Sequence, residues 1–212
     1  MYFIYPDQEL PPVTYADSEG LLAVGRDLSP ERLKEAYYKG VFPWYSEGQP
    51  VLWWSPDPRM VLFPEDLRIA RSMRPFLNQD KFQVTFNQEF ERVIENCGQV
   101  DRKGQDGTWI TPEIKENYLQ LHKEGLAHSV EVWDNADLVG GLYGIYLKDK
   151  QVFCGESMFA KASNASKFGF IKLVQKLERE GVKLIDCQIY TSHLESLGAN
   201  EIPRSEFLEY LK

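Results

Sequence analysis

Apolar residues recur along this chain with two different periods, and the points where the period changes divide it into elements. The run 60–63 reads as a strand, and Ile69, Met73 and Leu77 then fall on one face of a helix predicted over 66–77. Phe82, Val84 and Phe86 alternate as a half-buried strand does, and Phe90, Val93, Ile94 and Cys97 return to helical spacing up to a stop at Gly98. Residues 98–108 are polar and contain glycine, which predicts a loop. Thr111-Pro112-Glu113 supplies a capping side chain, a proline at the first helical position and an acid in the first turn; the helix it opens turns Ile114, Tyr118 and Leu121 inward and stops at Gly125. Segments 128–133, 138–147 and 151–154 read as a meander of antiparallel strands, because Asp134-Asn135-Ala136-Asp137 and Lys148-Asp149-Lys150 are too short for a crossover. A long helix over 164–180 is closed by Gly181, and 182–189 reads as a buried strand interrupted only by Lys183, Asp186 and Gln188. The end, 194–211, predicts two short helices around Gly198 and Pro203.

Residues 1–60 differ from the rest. They are rich in proline and aromatics and hold one clear helix, with Ser29 as N-cap, Pro30 at its first position, Leu33, Ala36 and Tyr37 as its apolar stripe, and Gly40 after its last turn. Prolines 43, 56 and 58 forbid regular helix in the aromatic stretch that follows and confine any strand there to an edge. The pattern therefore predicts a small, rigid N-terminal module over 1–60 and an α+β domain over 61–212 whose mixed sheet has helices on both faces. Helices, then an antiparallel meander, then a long helix crossing to a last buried strand is an order that resembles GNAT-type acyltransferases.

Composition narrows the setting. With 43% hydrophobic and 26% charged residues the bulk of the chain cannot be disordered. No apolar run approaches the ~20 residues that span a bilayer, and the opening Met1-Tyr2-Phe3-Ile4-Tyr5-Pro6 has neither the basic segment nor the long apolar run of a secretory signal. An odd count of cysteines, Cys97, Cys154 and Cys187, without a Cys-x-x-Cys pair, fits a reducing cytoplasm. The net charge of -8 repels nucleic acid at long range, so a polyanionic partner requires a local basic patch. Arg68, Arg71 and Arg74, at helical spacing on 66–77, are the best such patch; the same spacing also fits a solvated face.

Candidate chemistry sits in the second half. On a regular strand Asp186 and Gln188 share a face, and a carboxylate among Leu184, Ile185 and Ile189 needs either a partner such as an arginine or a reacting group to justify its burial. Glu156, just past the strand ending at Cys154 and beside Met158 and Phe159, is placed to recognise an amino group at the mouth of an apolar pocket, or to cap a loop. The surrounding Gly155-Glu156-Ser157-Met158-Phe159 is not a nucleophile elbow, since Phe159 stands where that turn needs glycine. Leu142, Met158, Leu173, Leu177 and Ile185 are the apolar residues that the meander, the long helix and the last strand would bring around such a pocket. His122, His128 and His193 lie on different elements, so no metal site is expected. Neither common phosphate-binding glycine loop occurs. The Arg/Gln-x-x-Gly-x-Gly/Ala turn that holds coenzyme A in GNAT enzymes is also missing before the long helix, which argues against coenzyme A as acyl carrier.

Long motifs carry more than these spacings. Gly20-Leu21-Leu22-Ala23-Val24-Gly25, Gly40-Val41-Phe42-Pro43-Trp44, Leu52-Trp53-Trp54-Ser55-Pro56-Asp57-Pro58-Arg59, Gly107-Thr108-Trp109-Ile110-Thr111, Gly155-Glu156-Ser157-Met158-Phe159, Asn164-Ala165-Ser166-Lys167, Leu184-Ile185-Asp186-Cys187-Gln188 and Ser196-Leu197-Gly198-Ala199-Asn200-Glu201-Ile202-Pro203-Arg204 follow one another over nearly the whole chain. In these the chain resembles the leucyl/phenylalanyl-tRNA–protein transferases. The resemblance implies a small module on a GNAT-like domain that moves leucine or phenylalanine from leucyl-tRNA or phenylalanyl-tRNA to proteins bearing N-terminal arginine or lysine, in the N-end rule of protein degradation. It implies no metal, organic cofactor or membrane. It implies Asp186 and Gln188 as the reaction-centre pair and Glu156 as a holder of the aminoacyl amino group. Trp44 and Trp109 would wall in the terminal adenosine, with Tyr37 and Tyr118 near them. Gly25-Arg26-Asp27 departs from the family's Gly-Gly-Asp, and 75–80 is poorer in basic residues than the family's pattern. Two alternatives remain. A GNAT-like transferase using aminoacyl-tRNA with another acceptor would be revealed by acceptor screening, and a non-catalytic RNA- or peptide-binding module would bind without turnover.

Overall fold

The computed structural model describes residues 2–100 and 108–212, so most of the loop expected over 98–108 lies outside the described residues. In chain order the elements are β1 (Tyr2–Phe3), β2 (Leu21–Gly25), α1 (Pro30–Tyr38), β3 (Phe42–Pro43), β4 (Val51–Trp54), β5 (Arg59–Leu62), α2 (Arg74–Asn78), β6 (Gln83–Phe86), α3 (Phe90–Gly98) and α4 (Pro112–Lys123). They continue with β7 (Ala127–Asp134), β8 (Asp137–Leu147), β9 (Val152–Ala160), α5 (Ala165–Arg179), β10 (Leu184–Gln188), α6 (Ser192–Ser196), β11 (Asn200–Ile202) and α7 (Arg204–Glu209). Local capping sets the helix starts: the Ser29 hydroxyl accepts from the Arg32 N–H at 3.3 Å and the Thr111 hydroxyl from the Ile114 N–H at 3.2 Å, each with proline at the first helical position.

Two sheets form. A four-stranded sheet runs β1-β2-β4-β3, and a seven-stranded sheet runs β11-β5-β10-β9-β8-β7-β6. Neighbours are antiparallel except β1 with β2 and β9 with β10. Alternation along β8 and β9 divides the core. Tyr143, Ile145 and Cys154 join the buried cluster shared with α3, α4, α1 and the small sheet, while Leu142 and Phe153 join the cluster beneath α5. The chain is thus a mixed α+β protein with helices on both faces of the larger sheet.

Four sequence expectations change. Residues 1–60 contain a sheet, not only one helix between loops; β3 with Pro43 is an edge strand, but β4 is paired on both sides. The helix expected over 66–77 does not form: short 3-10 turns at Pro64–Asp66 and Arg71–Met73 precede the five-residue α2. Tertiary contact overrides the periodicity there. The Arg68 N–H donates to the Leu197 carbonyl at 2.8 Å, and Gly198, at φ +105°, comes so close that a Cβ would lie 2.1 Å from the Asp66 carbonyl oxygen. The end of the chain holds β11 between its two short helices, because 200–202 pairs with the outer side of β5. Finally, β9 does not stop at Cys154 but runs on through Ala160.

Candidate active site

The site grows from an interruption shared by two parallel strands. Pairing between β9 and β10 ends at Cys154 and Asp186. Immediately beyond, each strand carries one residue too many for its other neighbour. Tyr143 and Gly144 of β8 face Ser157 and Gly155, leaving Glu156 as the extra residue, and Val61 and Met60 of β5 face Asp186 and Gln188, leaving Cys187 as the other. Such bulges bend a strand and re-aim its side chains. Gln188 completes the turn at φ +67°. The regular alternation from which Asp186 and Gln188 were expected to share a face therefore ends at Asp186.

The bulges bring Glu156 and Gln188 together across the divergence. The Gln188 side-chain amide donates to Glu156 Oε1 at 2.9 Å, and the Tyr118 hydroxyl donates to Glu156 Oε2 at 3.1 Å. Behind it the Tyr118 and Tyr37 hydroxyls are hydrogen-bonded to each other, both rings fully buried. Burial pushes the Glu156 carboxyl up to about 8; hydrogen bonds from Tyr37, Tyr118 and Gln188 pull against that rise, and the charge on Asp186 adds to it. At neutral pH this carboxyl is mostly protonated. Tyr37 and Tyr118 thus stand behind Glu156, Tyr118 in direct contact with its carboxyl.

Asp186 is held differently. Its two carboxylate oxygens take the Nε and Nη2 of Arg59 at 2.8 and 2.7 Å, with both side chains 1% exposed. The guanidinium lies between the rings of Phe42 and Phe207, 4.9 and 4.6 Å from their centroids. Asp186 Oδ1 also accepts the Gln188 backbone N–H at 2.9 Å, which fixes the bulge presenting Gln188. Spacing gave no sign of Arg59, which comes from β5, 127 residues away.

A cavity of about 420 Å³ opens at the divergence. Of the residues expected around it, Trp44, Trp109, Leu142, Glu156, Met158, Ile185 and Gln188 line it; Asp186, Tyr37 and Tyr118 stand behind the wall. Leu173 and Leu177 do not line it. Both are buried on α5, but they face a separate cavity of about 200 Å³ nearer the C-terminal end of that helix. The wall residues that sequence reasoning missed include Phe42, Phe153, Phe170 and His193. Phe42 and Phe153 lie in stretches read only as aromatic-rich or as strand, and no spacing points them at the site. Burial and the Lys167 charge lower the His193 pKa.

Arg68, Arg71 and Arg74 are exposed but do not form a helical stripe, since they belong to an extended stretch, a 3-10 turn and the start of α2. Among the described residues no group of three or more His, Cys, Asp or Glu side chains converges as a metal site would require, and no helix is long and apolar enough to cross a membrane.

Comparison with known proteins agrees along the whole chain. The family model for leucyl/phenylalanyl-tRNA protein transferase matches residues 61–212, and the model for the N-terminal domain of the same family matches residues 26–57. A leucyl/phenylalanyl-tRNA–protein transferase of Christiangramia forsetii is 81% identical over 211 residues, covering 100% of both chains. That of Flavobacterium johnsoniae is 59% identical over 212 residues, covering 100% of this chain and 99% of its own, and that of Azotobacter vinelandii is 60% identical over 192 residues, covering 91% and 84%. Among solved structures, L-PGS from Bacillus licheniformis is 10% identical with a TM-score of 0.43 over 82% of this chain and 57% of its own. A GCN5-related N-acetyltransferase from Kribbella flavida is 12% identical with a TM-score of 0.37 over 84% and 63%. Matched by both family models and by full-length relatives, the chain belongs to the leucyl/phenylalanyl-tRNA–protein transferase family.

Proposed function

We propose that the protein transfers leucine or phenylalanine from its aminoacyl-tRNA to the α-amino group of proteins that begin with arginine or lysine, in the cytoplasm and without a metal or organic cofactor. The observation that carries this reading is Glu156, a carboxyl bridged to Gln188 and Tyr118 at the head of a mainly apolar cavity. The donor's amino group meets Glu156, its apolar side chain fills the cavity toward Leu142, Met158 and Ile185, and its adenosine lies against Trp44 and Trp109. An approaching ammonium returns Glu156 to its charged form, because an opposite charge offsets the burial that had raised its pKa.

The acceptor's neutral amine attacks the ester carbonyl, a C–N bond forms, and the ribose oxygen leaves with the proton that the amine gives up. The ester supplies the driving force, so no covalent enzyme intermediate is needed. Gln188 touches the reacting groups through its second amide N–H and its carbonyl oxygen, steadying the oxyanion or orienting the amine. Asp186, engaged with Arg59, is a positioning residue that acts through the Gln188 backbone. Arg68, Arg71 and Arg74 are the candidate phosphate contacts, and residues 1–60 and 61–212 are read as two domains. Labelled leucyl-tRNA incubated with the enzyme and a protein bearing N-terminal arginine should yield labelled protein, while N-terminal glycine should yield almost none. Equal labelling of both would overturn the acceptor assignment, and binding without labelling of either would overturn the reaction.

A further inference from the structure

The cavity that holds Glu156 and the smaller cavity under α5 share one wall residue, Phe153. Leu142, Phe170 and Ile185 line the first with it; Val130, Leu173 and Leu177 line the second with it, Lys176 and Glu180 standing at the same cavity. All six apolar residues belong to the same buried cluster beneath α5, so the two spaces adjoin one layer, and Phe153 is the residue common to their walls. Phe153 is 2% exposed, and its ring packs directly on β8: a Cβ on Gly144 would stand 2.6 Å from its Cε1 and Cζ, so only glycine at that position leaves the ring its place. The space beyond, about 200 Å³ beside about 420 Å³, is large enough to matter for an amino-acid side chain.

We propose that Phe153 is the specificity-determining partition that ends the donor side-chain pocket, and that the cavity behind it is a latent extension of that pocket. This rests on the donor-binding reading given above. With the ring in place the pocket ends at leucine- or phenylalanine-sized side chains. Without it the two spaces join beneath α5, and a donor with a longer or bicyclic apolar side chain fits. Leu173 and Leu177 then become pocket residues, a role they do not have while Phe153 closes the wall.

The test compares the parent with Phe153→Ala and with Phe153→Leu, the milder change should the first not fold. Each is assayed with leucyl- and tryptophanyl-tRNA as donors, and for binding of non-hydrolysable leucyl- and tryptophanyl-adenosine amides. The ratio of kcat/KM for tryptophan over leucine, and the matching ratio of affinities, should rise by about tenfold or more. Adding Leu177→Phe should refill the rear cavity and return both ratios toward the parent's. Folded variants whose ratios stay at the parent value overturn the proposal, and so does a gain that survives Leu177→Phe, since it would then not depend on the rear space. If the parent binds the leucyl amide but transfers no leucine, the functional reading fails while the binding ratios still decide the role of Phe153.

Discussion

Asp186 and Glu156 leave neighbouring strands at one divergence, the first buried and the second half-buried at the cavity wall, and they are treated in opposite ways. Asp186 meets a fixed guanidinium in bidentate geometry and is buried with it, the guanidinium itself lying between two phenylalanines. Glu156 meets hydroxyls and an amide, which steady it without neutralising it, and its carboxyl is pushed up to about 8. A permanent counter-charge makes a carboxylate into architecture; neutral donors leave it able to answer a charge that arrives with a ligand. Each bulge thus serves a different end, one anchoring the backbone and the other presenting a responsive group.

The largest expected effect tests the anchored side. Asp186→Ala leaves Arg59 charged and buried without its partner, and urea denaturation should show a loss of about 3–5 kcal/mol. Neutralising Asp186 therefore weakens the fold itself, because the buried guanidinium loses its counter-charge. The pair of changes Arg59→Met and Asp186→Leu should recover most of the loss. A single Asp186→Ala that costs less than 1 kcal/mol would mean the two residues are not the closed ion pair described.

A second measurement addresses the responsive side. The folded pKa of Glu156 lies above the ordinary glutamate value of 4.5, so between about 4.5 and 8 the folded protein holds a proton that the unfolded chain has released. The stability this contributes is complete below 4.5 and lost as the pH rises through 8, at roughly 1.4 kcal/mol per pH unit within the window. Subtracting the stability curve of Glu156→Gln, which cannot ionise, from that of the parent should isolate this slope. A flat difference curve would place Glu156 in water.

Smallest is Tyr118→Phe. Its hydroxyl favours the ionised form of Glu156, so removing it should move the carboxyl's titration to still higher pH and cost about 0.5–1.5 kcal/mol of stability above that midpoint. Carbon-detected NMR of labelled glutamate would show the midpoint; a downward move would reverse the assigned direction of that hydrogen bond.

What could be read from sequence was what local chemistry decides. Ser29 with Pro30 and Thr111 with Pro112 locate two helix starts because a cap and its helix lie within four residues of each other. Alternation located the meander for the same reason. The bulges at Glu156 and Cys187 escaped because each exists only relative to a neighbouring strand: Gly155-Glu156-Ser157 reads equally well as the end of a strand, and Asp186-Cys187-Gln188 as plain alternation. Arg59 escaped because its partner is far along the chain, and the helix over 66–77 failed because Gly198, from a distant turn, presses on its backbone. Leu173 and Leu177 show a subtler limit. Periodicity correctly put them on the inner face of α5, but which of two adjoining spaces they meet depends on where one ring, Phe153, happens to lie.

The position of β5 also governs when the molecule can finish folding. Both of its partners, β10 and β11, are made well over a hundred residues after it, and Phe207, one of the two rings that flank Arg59, comes later still. During synthesis the arginine must therefore stay solvated while the meander and α5 assemble from nearer contacts, and the larger sheet closes only when the last strands slot in on either side of residues 59–62. The ribosome thus releases a chain whose candidate site is the last part to take shape, so a protein truncated before β10 has a meander and a long helix but neither Asp186 nor Gln188.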